Sequence, residues 1–328
     1  MGEKKMTIGV LTSGGDAPGM NAAIRAVVRT ADNYDYEVIG VRRGYAGLLD
    51  EDFCVLDTKS VGDIIQRGGT ILYTARSKGM HLLETQVKAA EICRKNGMEA
   101  LVVIGGDGSY RGALALSKQG INVMGVPGTI DLDIGCTDYT IGFDTSINTV
   151  TDAIDKLRDT SASHERCVIV EVMGRSAGYI ALWSGIAGGA EEIILPESYD
   201  HNEQAIIDNL IERRKHGKKH HIIVNAEGIG HSASMAARIE AATGIETRAT
   251  ILGYMQRGGS PTCKDRVYAS AMGAKAVELI HEGKKNRAVC HMNGVFTDED
   301  LETAINMTKN LPDDLVNLSK NLIRRRSL

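Results

Sequence analysis

Apolar residues in this chain fall into short continuous runs that alternate with segments of helical spacing. Residues 7–11 form a β-branched run, and 20–31 follow with apolar side chains at 20, 23, 24, 27 and 28, the repeat of an amphipathic helix. By the same reading, strands are predicted over 37–41, 101–104, 121–126, 167–172, 192–195, 221–225 and 250–253, and helices over 148–157, 177–187, 203–214, 232–242 and 267–281. The run 101–104 is apolar throughout and 121–126 is apolar but for Asn122, as expected of strands covered on both faces. Strand–helix alternation over the whole length predicts an α/β protein with mostly parallel sheets and helices on both sides. At about 150 residues per domain, 328 residues imply two domains. No low-complexity stretch, repeat or linker separates two halves, so the chain is expected to cross between domains more than once.

Composition narrows the class. The net charge of −4 and 4% aromatic content argue against nucleic acid as a partner, since single-strand binders stack bases on aromatic faces. Apolar runs such as 100–104 fall far short of the ~20 residues of a membrane helix. The first residues lack the apolar stretch of a signal peptide, and a cytoplasmic protein is expected. The six cysteines, at 54, 93, 136, 167, 263 and 290, form no C-x-x-C pair, and they read as small hydrophobes in a reducing compartment.

The 37 glycines cluster beside apolar runs, in the manner of tight strand-to-helix turns. In parallel sheets, ligands bind at the carboxyl ends of strands, so these turns are where chemistry is expected. Residues 12–21, Thr-Ser-Gly-Gly-Asp-Ala-Pro-Gly-Met-Asn, offer backbone amides and a helix N-terminus to an anion, with neither a Walker A lysine nor G-x-G-x-x-G. Gly105-Gly106-Asp107-Gly108-Ser109 places a carboxylate where it can hold Mg²⁺ while amides take phosphate oxygens; a helix cap is the plainer role for Asp107. In Pro127-Gly128-Thr129-Ile130-Asp131-Leu132-Asp133, two carboxylates one residue apart would face the same way if the segment is extended, suiting a general base and a partner. Arg76, Arg166, Arg175, Arg248 and Arg257 stand near turns, and the guanidinium fork matches phosphate. Phosphates, Mg²⁺ and a carboxylate base together point to phosphoryl transfer to a hydroxyl.

These turns, with Met173-Gly174-Arg175 and Gln256-Arg257-Gly258-Gly259, occur in one order along the chain, and the set resembles the bacterial ATP-dependent 6-phosphofructokinases over nearly its whole length. The resemblance implies two Rossmann-like domains, a homotetramer, and transfer of the ATP γ-phosphoryl group to the 1-hydroxyl of fructose 6-phosphate. It implies a large ATP-binding domain over 1–141 plus 255–305 and a smaller sugar-phosphate domain over 142–254 plus 306–328. Carried over by motif, Asp131 is the base and Asp133 assists, with Gly15, Arg76 and Thr129 around the transferring group. The ATP site takes Gly15, Tyr45, Arg76, Ser77, Gly106, Asp107, Gly108, Ser109 and Gly112, with Asp107 serving Mg²⁺. The sugar-phosphate site takes Thr129, Asp131, Met173, Gly174, Arg175, Glu227, Tyr254 and Arg257, with Arg166 and Arg248 supplied by an adjacent subunit. An effector site for ADP or phosphoenolpyruvate takes Arg25, Arg29, Arg158, Gly189, Glu191, Lys218, Lys219 and His220.

The chain departs from the family pattern in places. Leu132 stands where asparagine is usual, Tyr254 replaces a histidine, Thr58 replaces an effector-site arginine, and residues 77–81 lack the usual aromatic and arginine side chains. These departures motivate an alternative: a catalytically weak regulatory paralogue that binds sugar phosphate. Glycine at 108 and 128, where pyrophosphate-using relatives carry aspartate and lysine, implies ATP as donor.

Overall fold

The computed structural model describes residues 5–77 and 79–323. The chain divides into two compact units, 1–145 with 257–309 and 146–256 with 310–328, and so crosses between them three times.

Unit 1 begins with β1 (Thr7–Ser13), α1 (Met20–Asn33), β2 (Glu37–Val41), α2 (Gly44–Leu49), β3 (Phe53–Leu56), α3 (Leu83–Lys95), β4 (Met98–Gly105), α4 (Asp107–Lys118) and β5 (Asn122–Pro127). The helix α5 (Phe143–His164) carries the chain into unit 2, which holds β6 (Cys167–Val172), α6 (Tyr179–Ala187), β7 (Glu192–Ile194), α7 (Glu203–Lys215), β8 (His221–Ala226), α8 (Ser232–Thr243) and β9 (Thr247–Ile251). A 3₁₀ turn, Gly253–Arg257, leads back to α9 (Cys263–His281), β10 (Arg287–Met292), β11 (Val295–Asp300) and α10 (Leu301–Asn306) of unit 1, and α11 (Asp313–Ile323) ends in unit 2.

The sheet of unit 1 runs β11-β10-β5-β4-β1-β2-β3, with β3 and β11 antiparallel to their neighbours and the rest parallel. Its central strands β1 and β4 bury almost every residue, which explains their continuous apolar runs. Register is continuous across the centre: Ser13 pairs with Gly105, and Gly105 with Pro127. The ends of β1, β4 and β5 therefore form one row, and the three glycine turns leave the sheet side by side. Leu11, Leu48, Leu101, Val103, Tyr110 and Leu116 are among the core on one face. On α1, Met20, Ala23, Ile24, Val27 and Val28 are buried as their spacing predicts. Gly273 of α9 lets the two helix backbones approach, since a Cβ there would lie 2.5 Å from the Ala23 carbonyl oxygen.

The sheet of unit 2 runs β7-β8-β6-β9, all parallel, over a core that includes Ile169, Ile206, Leu210, Ile223, Met235 and Ile239. Several elements were not anticipated, α3, α4, β10 and β11 among them, and others have different bounds. The strand expected at 250–253 is β9, Thr247–Ile251; it is an edge strand with Arg248 and Ile251 exposed, so apolar content misplaces its start. The helix expected over 148–157 runs from Phe143 to His164, because its flanking turns are polar and carry little apolar signal. Cys263 is exposed and Cys54 half-buried, so only the other four cysteines behave as core residues. Among the described residues, no helix is long and apolar enough to cross a membrane.

Candidate active site

Three turns meet at the carboxyl edge of the unit 1 sheet. After β1, Gly14 adopts φ +88° and Gly15 is exposed. Arg257 Nη1 donates to the Asp16 carbonyl at 3.0 Å, and a Cβ on Gly15 would fall 2.5 Å from that nitrogen. Residues 67–74, which lead to Arg76, are tied back to this turn. Asn21 Nδ2 donates to the carbonyls of Arg67 (3.1 Å) and Gly68 (3.3 Å), and its Oδ1 accepts from the Ile71 amide at 2.7 Å. Thr12 Oγ1 donates to the Tyr73 carbonyl (2.8 Å), and Thr74 Oγ1 to that of Gly14 (2.8 Å). Arg76 itself is exposed and Ser77 half-buried; Lys78, in the altered 77–81 loop, lies outside the described residues.

After β4, Gly106 precedes α4 and Asp107 is its first residue, so free helix amides and the positive end of the helix dipole lie at this turn. Asp107 is half-buried and pairs with Arg111 at 3.0 Å. Gly108 has open space where a Cβ would stand. Beneath the helix, Tyr45 is buried, donates to the Ser109 carbonyl at 2.6 Å, and occupies the room beside Gly112. Burial raises the Tyr45 phenol above its ordinary pKa, so the bond is made by a neutral donor.

After β5, Thr129 and Asp131 are buried, and Thr129 Oγ1 accepts from the Asp131 amide at 3.2 Å. The segment is not extended. Leu132 takes φ +56°, a left-handed conformation that asparagine adopts far more readily than leucine. The alternation of an extended strand therefore does not relate Asp131 to Asp133, and Asp133 instead lines a small hollow together with Asp107, Tyr110 and Ile134. A hard cation on a nucleotide takes one or two protein carboxylates and leaves its other positions to phosphates and water, so the carboxylate of Asp107, beside the free amides of this helix start, fits Mg²⁺.

In unit 2, Met173, Gly174 and Arg175 follow β6, and Glu227 follows the neighbouring β8. Glu227 Oε1 accepts from the amides of Gly174 (3.2 Å) and Arg175 (2.7 Å), while the buried Gln256 accepts from the Met173 amide at 3.0 Å. Gly174 needs its φ of +134°, and a Cβ there would strike the Ala177 carbonyl at 2.4 Å. Tyr254 is 82% exposed. Arg166 and Arg248 lie elsewhere: Arg166 precedes β6, and Arg248 pairs with Val168 near the start of that strand. The length of β6, about 20 Å at ~3.3 Å per residue, separates them from Met173–Arg175. Glu246 joins the two arginines, at 2.6 Å to Arg166 and 2.8 Å to Arg248, and Arg166 above all holds that carboxyl below its ordinary pKa.

A second cluster in unit 2 gathers Arg158, Gly189, Glu191, Lys218 and His220. The buried Glu191 receives Lys218 (2.9 Å), Arg158 (3.7 Å) and the Ile222 amide (2.6 Å). Burial pushes its pKa up, but these partners outweigh burial and the net shift is downward. Arg158 also donates to the Gly189 carbonyl at 2.9 Å, and Lys218 lies 3.4 Å from His220. Lys219 pairs instead with Glu165 at 2.7 Å. Arg25 and Arg29 lie on α1 of unit 1, Arg25 half-buried and Arg29 exposed.

Asn21, Thr12, Thr74 and Gln256 carried no role in the motif reading, although all four hold site backbone. Thr12, Asn21 and Gln256 each stand two residues from a glycine of a turn, a signal that Thr74 lacks.

A parallel sheet whose three central strands end in adjacent glycine turns, one opening a helix with a carboxylate and one carrying a buried aspartate, defines an α/β phosphoryl-transfer protein. Residues 7–280 match the family described as phosphofructokinase, and the chain belongs to that family. It is 55% identical over 313 residues to the ATP-dependent 6-phosphofructokinase of Clostridium botulinum, covering 95% of this chain and 98% of that one. It is 56% identical, over the same shares of both chains, to the ATP-dependent 6-phosphofructokinase 1 of Clostridium perfringens. The structure of phosphofructokinase from Saccharomyces cerevisiae superposes with a TM-score of 0.84 at 32% identity over 97% of this chain, which spans about half (48%) of the yeast chain.

Proposed function

We propose that this protein transfers the γ-phosphoryl group of ATP to the 1-hydroxyl of fructose 6-phosphate, giving fructose 1,6-bisphosphate and ADP. The row Ser13–Gly105–Pro127 carries the reading, because it puts an anion-binding turn, a helix N-terminus with Asp107, and the buried Asp131 next to one another.

In this reading Asp131 accepts the proton of the attacking hydroxyl. Thr129 and Gly15 present polar groups to the transferring phosphoryl, Arg76 adds a positive charge from the loop after Thr74, and Asp133 assists. Gly106, Asp107 and Gly108 offer amides to the nucleotide phosphates with Ser109 beside them, and Tyr45 supports Gly112 from below. Asp107 would hold Mg²⁺, which when bound neutralises phosphate charge as the bond to the leaving oxygen breaks. Met173, Gly174, Arg175, Glu227, Tyr254 and Arg257 take the sugar phosphate. Arg166 and Arg248 serve a neighbouring subunit of a homotetramer, a reading supported by their distance along β6 from Met173. ADP or phosphoenolpyruvate binds at the Arg158–Glu191–Lys218 cluster with Gly189, His220, Lys219, Arg25 and Arg29, in a cytoplasmic enzyme. Two glycines support ATP over pyrophosphate as donor. Gly108 has open space beside it, and a side chain on Gly128 would meet Ile104 and Met20 at 3.0 and 3.1 Å, leaving a lysine little room.

A coupled assay with Mg²⁺ and fructose 6-phosphate tests this. Turnover is expected to be faster with ATP than with pyrophosphate, and Asp131→Ala to lower kcat by about 10²–10⁴-fold with little change in KM for the sugar phosphate. Faster turnover with pyrophosphate, or an Asp131→Ala variant with normal kcat, would overturn it.

A further inference from the structure

Asp265, in the first turn of α9, has no solvent exposure, and its carboxylate collects four donors from one short segment of unit 1. Oδ1 accepts from the Tyr139 hydroxyl at 2.6 Å and the Gly142 amide at 2.7 Å. Oδ2 accepts from the Thr145 amide at 2.8 Å and from Thr145 Oγ1 at 2.5 Å. Gly142 is the residue before α5 and has no side chain with which to cap it. Asp265 therefore caps α5 from another helix, satisfying two of the amides a helix start leaves without intrahelical partners. Thr262 extends the lattice: its amide donates to Thr145 Oγ1 at 3.0 Å and its hydroxyl to Asp144 at 2.7 Å.

The segment held in this way is the backing of the turn that carries Thr129 and Asp131. The Ile141 amide donates to the Pro127 carbonyl at 2.8 Å, and Gly128 and Ile141 form a parallel bridge. Gly142, at φ +102°, lies so close to both neighbouring turns that a Cβ would fall 2.7 Å from Ala17, 3.1 Å from Pro18 and 3.2 Å from Ile130. Ala17 and Pro18 belong to the turn after β1; Ile130 sits between Thr129 and Asp131. Lys264, beside Asp265 in the first turn of α9, lies 4.7 Å over the Tyr139 ring and adds a second contact to that donor.

We propose that Asp265 is a positioning residue for phosphoryl transfer: through 139–145 it fixes the turn 128–131 against the turn after β1, and so sets where Asp131 stands. The inference rests on the function proposed above. A base must stand within hydrogen-bond reach of the proton it takes, and small displacements of reacting groups cost large factors in rate. Asparagine in place of Asp265 keeps the shape but turns an N–H toward donors, so at least one of the four bonds is lost. The loss is expected in kcat, because Asp265 touches neither substrate.

The test compares wild type, Asp265→Asn, Asp265→Glu and the milder Tyr139→Phe in two arms. In the coupled assay, Asp265→Asn is expected to lower kcat at least 10-fold with both KM values within about 3-fold of wild type. Asp265→Glu should recover part of the loss, and Tyr139→Phe should lower kcat about 3- to 10-fold. In hydrogen exchange without substrates, Asp265→Asn should speed exchange of amides 128–133 at least 10-fold and leave β6 and β8 unchanged. Wild type inactive with ATP and fructose 6-phosphate would sink the functional reading, while the exchange arm would still judge whether Asp265 holds the turn. Normal kcat in Asp265→Asn, or a fall in kcat with exchange at 128–133 unchanged, would overturn the positioning role. Should Asp265→Asn not fold, Tyr139→Phe decides by the same two measurements.

Discussion

Arg257 reaches back across 241 residues to donate to the carbonyl of Asp16, and its guanidinium fills the volume that a side chain on Gly15 would need. The absence of a Cβ at Gly15 is thus a matter of arginine placement as much as of backbone freedom, since Gly15 does not require a left-handed conformation.

Gly15→Ala should therefore displace Arg257 while costing little stability, because the clash is with the far end of a flexible side chain. Loss of one charge-assisted contact of about 1.5–3 kcal/mol predicts a fall in kcat/KM for the sugar phosphate of roughly 10- to 150-fold. Steady-state kinetics beside a thermal melt would separate the two effects. A large drop in Tm with normal kinetics would show that Arg257 has no part in the reaction.

Gly112→Ala should do the reverse. Its methyl group would fall 2.6 Å from the buried Tyr45 ring, which has nowhere to move. Overpacking of this kind costs about 1–3 kcal/mol. Tyr45→Phe keeps the ring and loses only the bond to the Ser109 carbonyl, for about 0.5–1.5 kcal/mol. Denaturant midpoints should rank wild type, Tyr45→Phe and Gly112→Ala in that order.

At position 132 two effects oppose each other. Asparagine would relieve a left-handed leucine, worth about 1–2 kcal/mol. It would also remove a side chain that is only 5% exposed, and deleting a buried leucine costs about 2–5 kcal/mol. Lost burial outweighs the relief of strain, so Leu132→Asn should unfold at a lower urea concentration than wild type. A higher midpoint would mean that backbone strain dominates at this turn.

His221 gives the protein an acid-sensitive element. Its ring has no exposure, and neither nitrogen has a hydrogen-bond partner among the described residues. Burial first, then Lys218 and Arg213, pull its pKa from 6.5 to about 4, with Glu191 opposing. Between those values the unfolded chain binds a proton that the folded chain refuses, so stability falls as pH drops from 6.5 to 4. The contribution is about 3 kcal/mol at roughly 1.4 kcal/mol per unit. His221→Leu should flatten this part of the stability–pH curve, and an unchanged slope would show that His221 charges freely in the folded state.

Local features are legible in the chain alone. Strand runs such as 101–104, the helical repeat of 20–31 and the glycine turns after β1 and β4 are set by side-chain period and turn chemistry within about ten residues, and the structure keeps them. Short or polar elements, α2, β3 and β9 among them, leave too little apolar periodicity to read. Which distant residues hold the site follows from tertiary packing instead. Asn21 reaches Ile71 across 50 residues, and Asp265 reaches Tyr139 across 126. Packing also sets Asp133 in one hollow with Asp107, because the left-handed Leu132 breaks the extended geometry that spacing assumed. Arg166 and Arg248 likewise gather on one side chain, Glu246, at the far end of β6 from Met173. These are bonds from side chains to remote backbone and to one another, and they form only once strand order and register bring the segments together, which no local pattern encodes.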